Sequence, residues 1–295
     1  MFKSGFIAIL GRPNVGKSTF FNAIVGDKIS IVANKPQTTR NRITGIKNLP
    51  DAQLIFLDTP GMHKPKTPLN RAMVQAARDT IGDTDLVLVI VEADSAIGPH
   101  DLFLIEALAS AKAPVFLAIN KIDRVEKPSL LPMIDQYSRL YDFAGIFPIS
   151  ALKGNGIDDL QASLKEALPE GPQLFPDDIA TDATERFIAG EFIREQITLM
   201  TSQEIPYVTA VTIDAFKEDE EKNLIRISAT IHVEKDSQKA IMIGKQGAML
   251  KKIGTQARLS MEKLFGAKIF LELFVRVKKD WTSSDKMLRE FGLIK

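Results

Sequence analysis

Residues 11–18 read Gly11-Arg12-Pro13-Asn14-Val15-Gly16-Lys17-Ser18 and match the phosphate-loop pattern G-x-x-x-x-G-K-[ST] at every required position. The apolar run from Phe6 to Leu10 before this stretch is typical of a buried strand, and the residues from Thr19 to Val25 favour a helix. In this setting, backbone N–H groups at a helix N-terminus can surround a polyphosphate. The stretch therefore predicts a nucleotide site within an α/β fold.

The composition is that of an ordinary globular protein of about two domains, with 295 residues, 45% hydrophobic and 25% charged. Cysteine is absent, which excludes disulfides, thiolate metal sites and thiol catalysis and favours a cytoplasmic location. The first apolar run begins close to Met1, so we expect no signal peptide. No apolar run approaches the roughly 18 residues that a membrane span requires.

Residues 1–170 alternate short apolar strands with helical stretches. The clearest strands are Gly5–Leu10, Gln53–Asp58, Asp85–Val91, Val115–Asn120 and Gly145–Ile149. Such alternation predicts a doubly wound, mostly parallel sheet that binds its ligand at the carboxyl ends of the strands. Four of the five strands end in a motif, and the strand at 85–91 does not.

Two polar, proline-containing segments, 31–42 and 62–72, predict mobile loops beside the phosphate loop. The first contains Thr38 and Thr39, and a threonine there can supply a hydroxyl to Mg²⁺ when a γ-phosphate is present. Between them, Asp58 of Asp58-Thr59-Pro60-Gly61 can hold Mg²⁺ through water. Gly61 can offer its N–H to the γ-phosphate at close approach because it lacks a Cβ.

The motif Asn120-Lys121-Ile122-Asp123 predicts which base is bound. An aspartate side chain can accept hydrogen bonds from both N1–H and the 2-amino group of guanine, whereas adenine offers neither donor. The predicted ligands are therefore GTP and GDP. The backbone N–H groups of Ser150-Ala151-Leu152-Lys153, after the last strand, can meet the guanine O6.

In order and spacing, these five motifs resemble those of translation-factor-class GTPases. The residues predicted to bind nucleotide are Asn14, Val15, Gly16, Lys17, Ser18, Thr19, Asp58, Gly61, Asn120, Lys121, Asp123, Ser150, Ala151 and Leu152. The Mg²⁺ ligands are predicted to be Ser18, Thr39 and Asp58, and the catalytic residues Lys17, Thr39, Gly61 and Asn14.

Many GTPases orient the attacking water with a glutamine directly after D-x-x-G, where this chain has Met62. A thioether can neither accept the proton nor orient the water strongly, so we expect slow intrinsic hydrolysis, or a GTP-gated tether with little hydrolysis. In related GTPases without the glutamine, an asparagine at the place of Asn14 helps bind K⁺. Asn14 has either this role or that of capping local backbone.

A proline- and acid-rich stretch beginning near Pro169 predicts a linker, which we place at 171–184, between a GTPase domain at 1–170 and a second domain at 185–295. In the second domain, Glu185–Ser202 has helical spacing, and Val208–Phe216 and Leu224–Val233 alternate as a hairpin. Two helical segments and a last strand follow. The order helix, strand, strand, helix, helix, strand is that of an α+β type II KH domain.

Between the two helical segments lies the tetrad Gly244-Lys245-Gln246-Gly247, as in KH domains, where a G-x-x-G loop clamps a nucleic-acid backbone. Residues 235–280 carry eleven Lys/Arg and four Asp/Glu, a local net charge of +7 in a chain whose net charge is +1. This segment therefore predicts a polyanion-binding surface. The alternative is a helix–turn–helix corner with solvated lysines.

The combination of GTPase and KH domains resembles the Era family of ribosome-associated GTPases. The resemblance implies binding to the 3′ end of small-subunit (16S) ribosomal RNA, partnership with the 30S subunit and a role in its maturation, without DNA binding. For some members it also implies peripheral association with the inner face of the cell membrane. By motif, the RNA contacts would be Ile243, Gly244, Lys245, Gln246, Gly247, Lys251 and Lys252.

Two questions stay open at this level. The C-terminal lysines can serve RNA, or a protein or membrane surface. Trp281, just after the last strand, can stack on a base or anchor the final helix, and we favour the anchor.

Overall fold

The computed structural model describes residues 1–33, 35, 38–65, 67–202 and 204–294. The chain forms two compact units. The first comprises Met1–Ser30, Thr39–Lys66 and Asn70–Asp182, and the second comprises Ile31–Thr38, Thr67–Leu69 and Ala183–Lys295. The boundary after Asp182 lies inside the predicted linker.

Among its described residues, the first unit contains six strands and five α-helices. They are β1 (Lys3–Leu10), α1 (Lys17–Val25), β2 (Ile43–Leu49), β3 (Ala52–Asp58), α2 (Pro68–Gly82), β4 (Leu86–Glu92), α3 (Pro99–Ala107), β5 (Val115–Asn120), α4 (Leu130–Leu140), β6 (Gly145–Pro148) and α5 (Ile157–Ala167). The sheet order is β2-β3-β1-β4-β5-β6. All pairings are parallel except that of β2 with β3. The predicted doubly wound, mostly parallel sheet is confirmed, with its ligand side at the carboxyl ends of the parallel strands.

Sequence reasoning missed the antiparallel edge strand β2, because Ile43–Leu49 is short and partly polar. Its outer edge is covered by the chain that follows α5: the Ile46 N–H donates to the Ala180 carbonyl at 2.8 Å, and the Thr181 hydroxyl donates to the Thr44 carbonyl at 2.6 Å. Gln53 Oε1 also accepts from the N–H groups of residues 174 and 175, both at 2.9 Å. Residues 174–181 of the predicted linker are therefore hydrogen-bonded to β2 and β3.

The second unit has the predicted order of elements. They are α6 (Glu185–Met200), β7 (Ala210–Asp219), β8 (Leu224–Val233), α7 (Asp236–Ile243), α8 (Ala248–Phe265), β9 (Lys268–Val277) and α9 (Asp285–Glu290). In the sheet β7-β8-β9, β8 is antiparallel to β7 and parallel to β9. The core lies between the sheet and the helices, where Phe192 and Ile197 of α6 and Ile253 of α8 cluster with Ile227 of β8. This is the type II KH arrangement.

Trp281 anchors the chain after β9. Its side chain has no exposed surface, and the indole N–H donates to the Val208 carbonyl at 2.9 Å. The ring also packs edge-to-face against Phe291, with 5.2 Å between ring centroids. The anchoring interpretation is confirmed, and a buried ring cannot stack on a base.

No helix in the described ranges is long and apolar enough to cross a membrane.

His232 of β8 makes the stability of the second unit sensitive to acid. Its Nε2 lies 2.9 Å from the Thr212 hydroxyl, and its Nδ1 is buried without a hydrogen bond to any residue that the structure describes. Burial, and then the nearby Lys278 charge, lower the pKa of His232 below its ordinary value. Below about pH 6.5 the unfolded chain therefore binds a proton that the folded protein binds less readily.

We expect the free energy of unfolding to fall below about pH 6.5, with a contribution from His232 of at most about 1.4 kcal/mol per pH unit. His232→Gln should reduce this dependence, whereas His100→Gln, at an exposed position, should leave it unchanged. Urea unfolding followed by fluorescence of Trp281, the single tryptophan, between pH 5 and 7.5 measures it. Equal pH dependence in wild type and His232→Gln would contradict the assignment.

Candidate nucleotide and nucleic-acid sites

The phosphate loop connects β1 to α1, as predicted, and its glycines are required by close packing. A Cβ on Gly16, whose φ is 101°, would lie 2.2 Å from Nδ2 of Asn120. A Cβ on Gly11, whose φ is 158°, would lie 2.4 Å from the Ile90 carbonyl oxygen. The loop therefore lies directly against the ends of neighbouring strands, with its residues leading into the N-terminus of α1.

Lys17 is buried at the first position of α1. Its Nζ donates to the carbonyls of Gly11 at 3.1 Å and Arg12 at 2.9 Å. Burial lowers the pKa of Lys17 to about 8, and the Asp58 carboxylate partly opposes that shift. An anionic phosphate placed here would stabilise the charged ammonium and supply the partner that burial denies it.

Three hydroxyls converge on one buried carboxylate. Asp58 Oδ2 accepts from Ser18 Oγ at 2.8 Å, Ser30 Oγ at 2.8 Å and Thr39 Oγ1 at 3.3 Å. Ser18 Oγ and Thr39 Oγ1 lie 2.9 Å apart. Oδ1 of Asp58 is buried and has no hydrogen-bond partner among the described residues. Burial raises the pKa of this carboxyl, although Lys17 opposes the shift.

This cluster fits a hard divalent cation. Mg²⁺ prefers carboxylate and hydroxyl oxygens, and its charge would favour the ionised carboxylate and satisfy the unpaired oxygen directly or through water. The structure brings together the three predicted ligands, Ser18, Thr39 and Asp58. It adds Ser30, which no motif marks and which only the folded loop after α1 brings to Asp58.

The predicted mobile loop at 31–42 divides between the two units, with Thr38 in the second and Thr39 in the first. The Thr38 hydroxyl donates to backbone carbonyls of residues 33 and 35, so Thr39 alone of the pair joins the Asp58 cluster. Asn34, Pro36 and Gln37 of this loop, and Lys66 of the loop at 62–72, lie outside the described residues.

Three loops are joined by the side chain of Asn120. Its Nδ2 donates to the Val15 carbonyl at 2.8 Å, and its Oδ1 accepts from the Ala151 N–H at 2.9 Å. The Asp123 carboxylate accepts from the Ser150 hydroxyl, which lowers the pKa of Asp123. The residues predicted to contact the base therefore lie together at the ends of β5 and β6.

The remaining predicted nucleotide-site residues lie around these loops. Thr19 follows Ser18 in the first turn of α1, and Leu152 is exposed beside Ala151. Asn14 is exposed with a left-handed φ of 66°, and its side chain forms no hydrogen bond with the described residues. The backbone-capping role for Asn14 therefore has no support in the described part of the chain.

Gly61 and Met62 lie beneath the phosphate loop. A Cβ on Gly61 would lie 2.8 Å from the Pro13 nitrogen, and the Met62 N–H donates to the Gly11 carbonyl at 3.0 Å. The Met62 side chain is fully buried in the apolar cluster that includes Leu10. Met62 is therefore a core residue and does not face an attacking water.

A groove of about 380 Å³ runs between α8 and β9 of the second unit. Its lining residues are Gly247, Leu250, Lys251, Gly254, Thr255, Arg258, Leu271 and Leu273. Of the predicted RNA contacts, Gly247 and Lys251 line it, and Gly244, Lys245 and Gln246 form the loop that leads to it. Ile243 and Lys252 lie outside the lining. Sequence reasoning missed the contributions of Arg258 and of β9, because strand residues enter the groove only through tertiary packing.

The first unit, with its phosphate loop, Asp58 cluster and Asn120–Asp123 loop, is that of a phosphate-loop GTPase, and the second unit is a KH domain. Two family models match accordingly, one described as a 50S ribosome-binding GTPase over residues 6–121 and one as a KH domain over residues 204–282.

Whole-length relatives match both units together. GTPase Era of Syntrophus aciditrophicus is 61% identical over 99% of this chain and 95% of its own length. GTPase Era of Geobacter metallireducens is 56% identical over 99% and 98%. A crystal structure of Era in complex with MgGDPNP and nucleotides 1506–1542 of 16S ribosomal RNA superposes with a TM-score of 0.96 at 39% identity, over all of both chains. The chain belongs to the Era family of GTPases and is a GTP-hydrolysing enzyme.

Met62→Gln should not speed hydrolysis, although glutamine is the usual residue at this position. Its amide would enter an apolar core and lower the free energy of unfolding by about 1–3 kcal/mol. Met62→Leu should cost less than about 1.5 kcal/mol. Urea unfolding and single-turnover GTP hydrolysis of the three proteins measure both effects. Faster hydrolysis by Met62→Gln would show that this side chain can reach the attacking water.

Proposed function

We propose that this chain binds the 3′ end of small-subunit ribosomal RNA in its KH groove, hydrolyses Mg²⁺-bound GTP in its first unit, and assists maturation of the 30S subunit. The groove between α8 and β9, with Lys251 and Arg258 along it, carries the proposal, because it lies beside a G-x-x-G loop. The 16S RNA fragment bound to the 39% identical Era supports the choice of RNA.

In the nucleotide site, Asp123 pairs with guanine and so excludes adenine. The backbone N–H groups of residues 14–18 and the Lys17 ammonium hold the phosphates. Ser18 and Thr39 would hold Mg²⁺, with Asp58 contacting it through water. The Mg²⁺ complex of the 39% identical Era supports this assignment. When bound, Mg²⁺ neutralises charge that develops on the phosphates.

Hydrolysis then depends on positioning and charge neutralisation rather than on a general base. Lys17 and the Gly61 N–H offer positive charge to the γ-phosphate, and Thr39 orders the loop beside it. Because Met62 is buried in the core, it gives the water no orientation, and we expect a rate at or below about 10⁻² s⁻¹ without assistance. Membership of a GTPase family disfavours the alternative of a GTP-gated tether with little hydrolysis.

Asn14 is the candidate for an additional cation. It is exposed beside the phosphate site, and its amide oxygen is a suitable ligand for K⁺. We expect single-turnover hydrolysis to be faster in KCl than in NaCl at equal ionic strength, and Asn14→Ala to remove the difference. Equal rates in the two salts for the wild type would exclude a K⁺ role.

The RNA proposal is best tested at Gly247, whose φ is 80° and whose added Cβ would meet nothing within 4 Å. Gly247→Asp places a negative charge beside the expected phosphates and should weaken RNA binding by about tenfold or more. Gly247→Asn has the same shape and the same left-handed backbone cost without the charge, so it is the matched control. Gly244 is unsuitable, because its Cβ would lie 2.7 Å from the Met249 Cβ.

The measurement is the affinity of the full chain for an RNA equivalent to nucleotides 1506–1542 of 16S ribosomal RNA and for a scrambled RNA, over a salt series. Repeating the measurement with GDP, with a GTP analogue and without nucleotide shows whether GTP strengthens or weakens RNA binding. The two units described separately do not define that direction. Equal binding by Gly247→Asp and Gly247→Asn would contradict the groove assignment.

Cytoplasmic location and 30S partnership belong to the same proposal. Peripheral membrane association stays a prediction, tested by sedimentation with anionic vesicles. Vesicle binding without specific RNA binding would indicate that the basic surface of residues 235–280 binds a membrane instead of RNA.

A further inference from the structure

Strand β4 ends without a GTPase motif, yet its last residue joins two of the motif loops. Glu92 Oε1 accepts from Arg12 Nη2 of the phosphate loop at 2.6 Å. The other oxygen, Oε2, accepts from Lys121 Nζ of the Asn120–Asp123 loop. One carboxylate thus links the residue after Gly11 to the lysine of the guanine motif.

These ion pairs are largely shielded from solvent. The Arg12, Glu92 and Lys121 side chains are only 16%, 18% and 19% exposed. Screening by water and salt is weaker at such depth than at an exposed pair, and removal of one partner leaves an uncompensated charge. This Arg12–Glu92–Lys121 bridge therefore contributes more free energy than an ordinary surface ion pair.

Arg12 is itself held from a second side. Its Nη1 donates to Asp101 Oδ2 at 3.3 Å, and its Nη2 also contacts the Ser95 hydroxyl. The same Asp101 oxygen accepts from the Gly98 N–H at 2.9 Å, which fixes it at the start of α3. The Arg12 end of the bridge is consequently rigid, because the carboxylates of Glu92 and Asp101 both hold its guanidinium.

The Lys121 end is fixed at the backbone. Lys121 has a left-handed φ of 66°, and Asn120 before it is bonded to Val15 and Ala151. With its ammonium held by Glu92, the flexible four-carbon stem is restrained at both ends. A side chain that is ordered before binding does not lose that entropy when a ligand arrives.

We propose that Glu92 is a positioning residue of the guanine-nucleotide site, which acts through Lys121 and Arg12 and sets how long nucleotide stays bound. The inference rests on the proposed GTP site. It assigns to the end of β4 a role that the five motifs leave out. Glu92 itself touches neither the nucleotide nor the reacting atoms.

The test is the dissociation rate of a fluorescent GDP from the full chain in Mg²⁺, measured by stopped flow. Glu92→Gln keeps the shape of the side chain and removes its charge. We expect GDP release to be about tenfold faster, because the ion pairs with Arg12 and Lys121 are lost. The loss of affinity should exceed any loss of turnover at saturating GTP. Glu92→Asp, which keeps the charge but is too short to reach both cations, should be intermediate.

Asp94→Asn, two residues after Glu92, is the matched control. Its carboxylate pairs with Arg124 at 3.1 Å, but the two side chains are 29% and 54% exposed, so release should change little. Thermal unfolding without nucleotide checks that each variant is folded. A purely structural role for Glu92 would lower the melting temperature without a selective effect on release.

A double-mutant cycle tests the path through Lys121. Lys121→Met keeps the stem and removes the ammonium, so the effect of Glu92→Gln should be several-fold smaller in that background. The role of Glu92 would be overturned if Glu92→Gln speeds release by the same factor in both backgrounds. It would also be overturned if Glu92→Gln alone has no effect while the wild-type chain binds GDP.

Asp123→Asn, which should weaken GTP binding and admit xanthine nucleotide, tests the base site separately. A wild-type chain that retained no guanine nucleotide would overturn the GTP site and this inference together.

Discussion

The side-chain amide of Asn120 is the constraint on which the nucleotide site depends. Its nitrogen donates to the Val15 carbonyl and its oxygen accepts from the Ala151 N–H, both in the buried interior. The loops that follow β1, β5 and β6 are thereby joined by one planar group. A shorter or ionised side chain could not both donate and accept at these two positions. The amide also explains why Gly16 has no Cβ, since Asn120 occupies that space.

Around this constraint the protein buries charges that have no full partner of their own. Lys17 and Asp58 lie in the same site, and burial disfavours the charged form of each. Lys17 donates to carbonyls of its own loop, while one Asp58 oxygen has no hydrogen-bond partner in the described part of the chain. Such an arrangement is costly in isolation and becomes favourable when phosphate and a divalent cation are present. The charges of Lys17 and Asp58 thus gain their full electrostatic partners only when phosphate and the cation bind.

Much of the fold follows from patterns in the sequence. The sequence predicts the five parallel strands of the first unit because each is a short, nearly continuous apolar run. It predicts the helix–strand–strand–helix–helix–strand order of the second unit because the hydrophobic periodicity there is clear. The edge strand β2 was missed, because an edge strand with polar residues such as Lys47 and Asn48 resembles a loop. The stretch after α5 resembled a linker because it is rich in proline and acid. The stretch nevertheless forms hydrogen bonds to β2 through the Ala180 carbonyl and the Thr181 hydroxyl, which no local pattern indicates.

The sequence by itself determined the chemistry of the nucleotide site, because phosphate, Mg²⁺ and guanine each require particular groups at short, fixed spacings along the chain. It also determined the G-x-x-G loop and its basic surroundings. Only the tertiary structure decided how distant groups combine. It brought Ser30 to Asp58, placed Met62 in the core, added Leu271 and Leu273 to the groove, and set Glu92 between Arg12 and Lys121. Those contacts join segments far apart in the chain, and a local pattern has no information about which strand ends will meet.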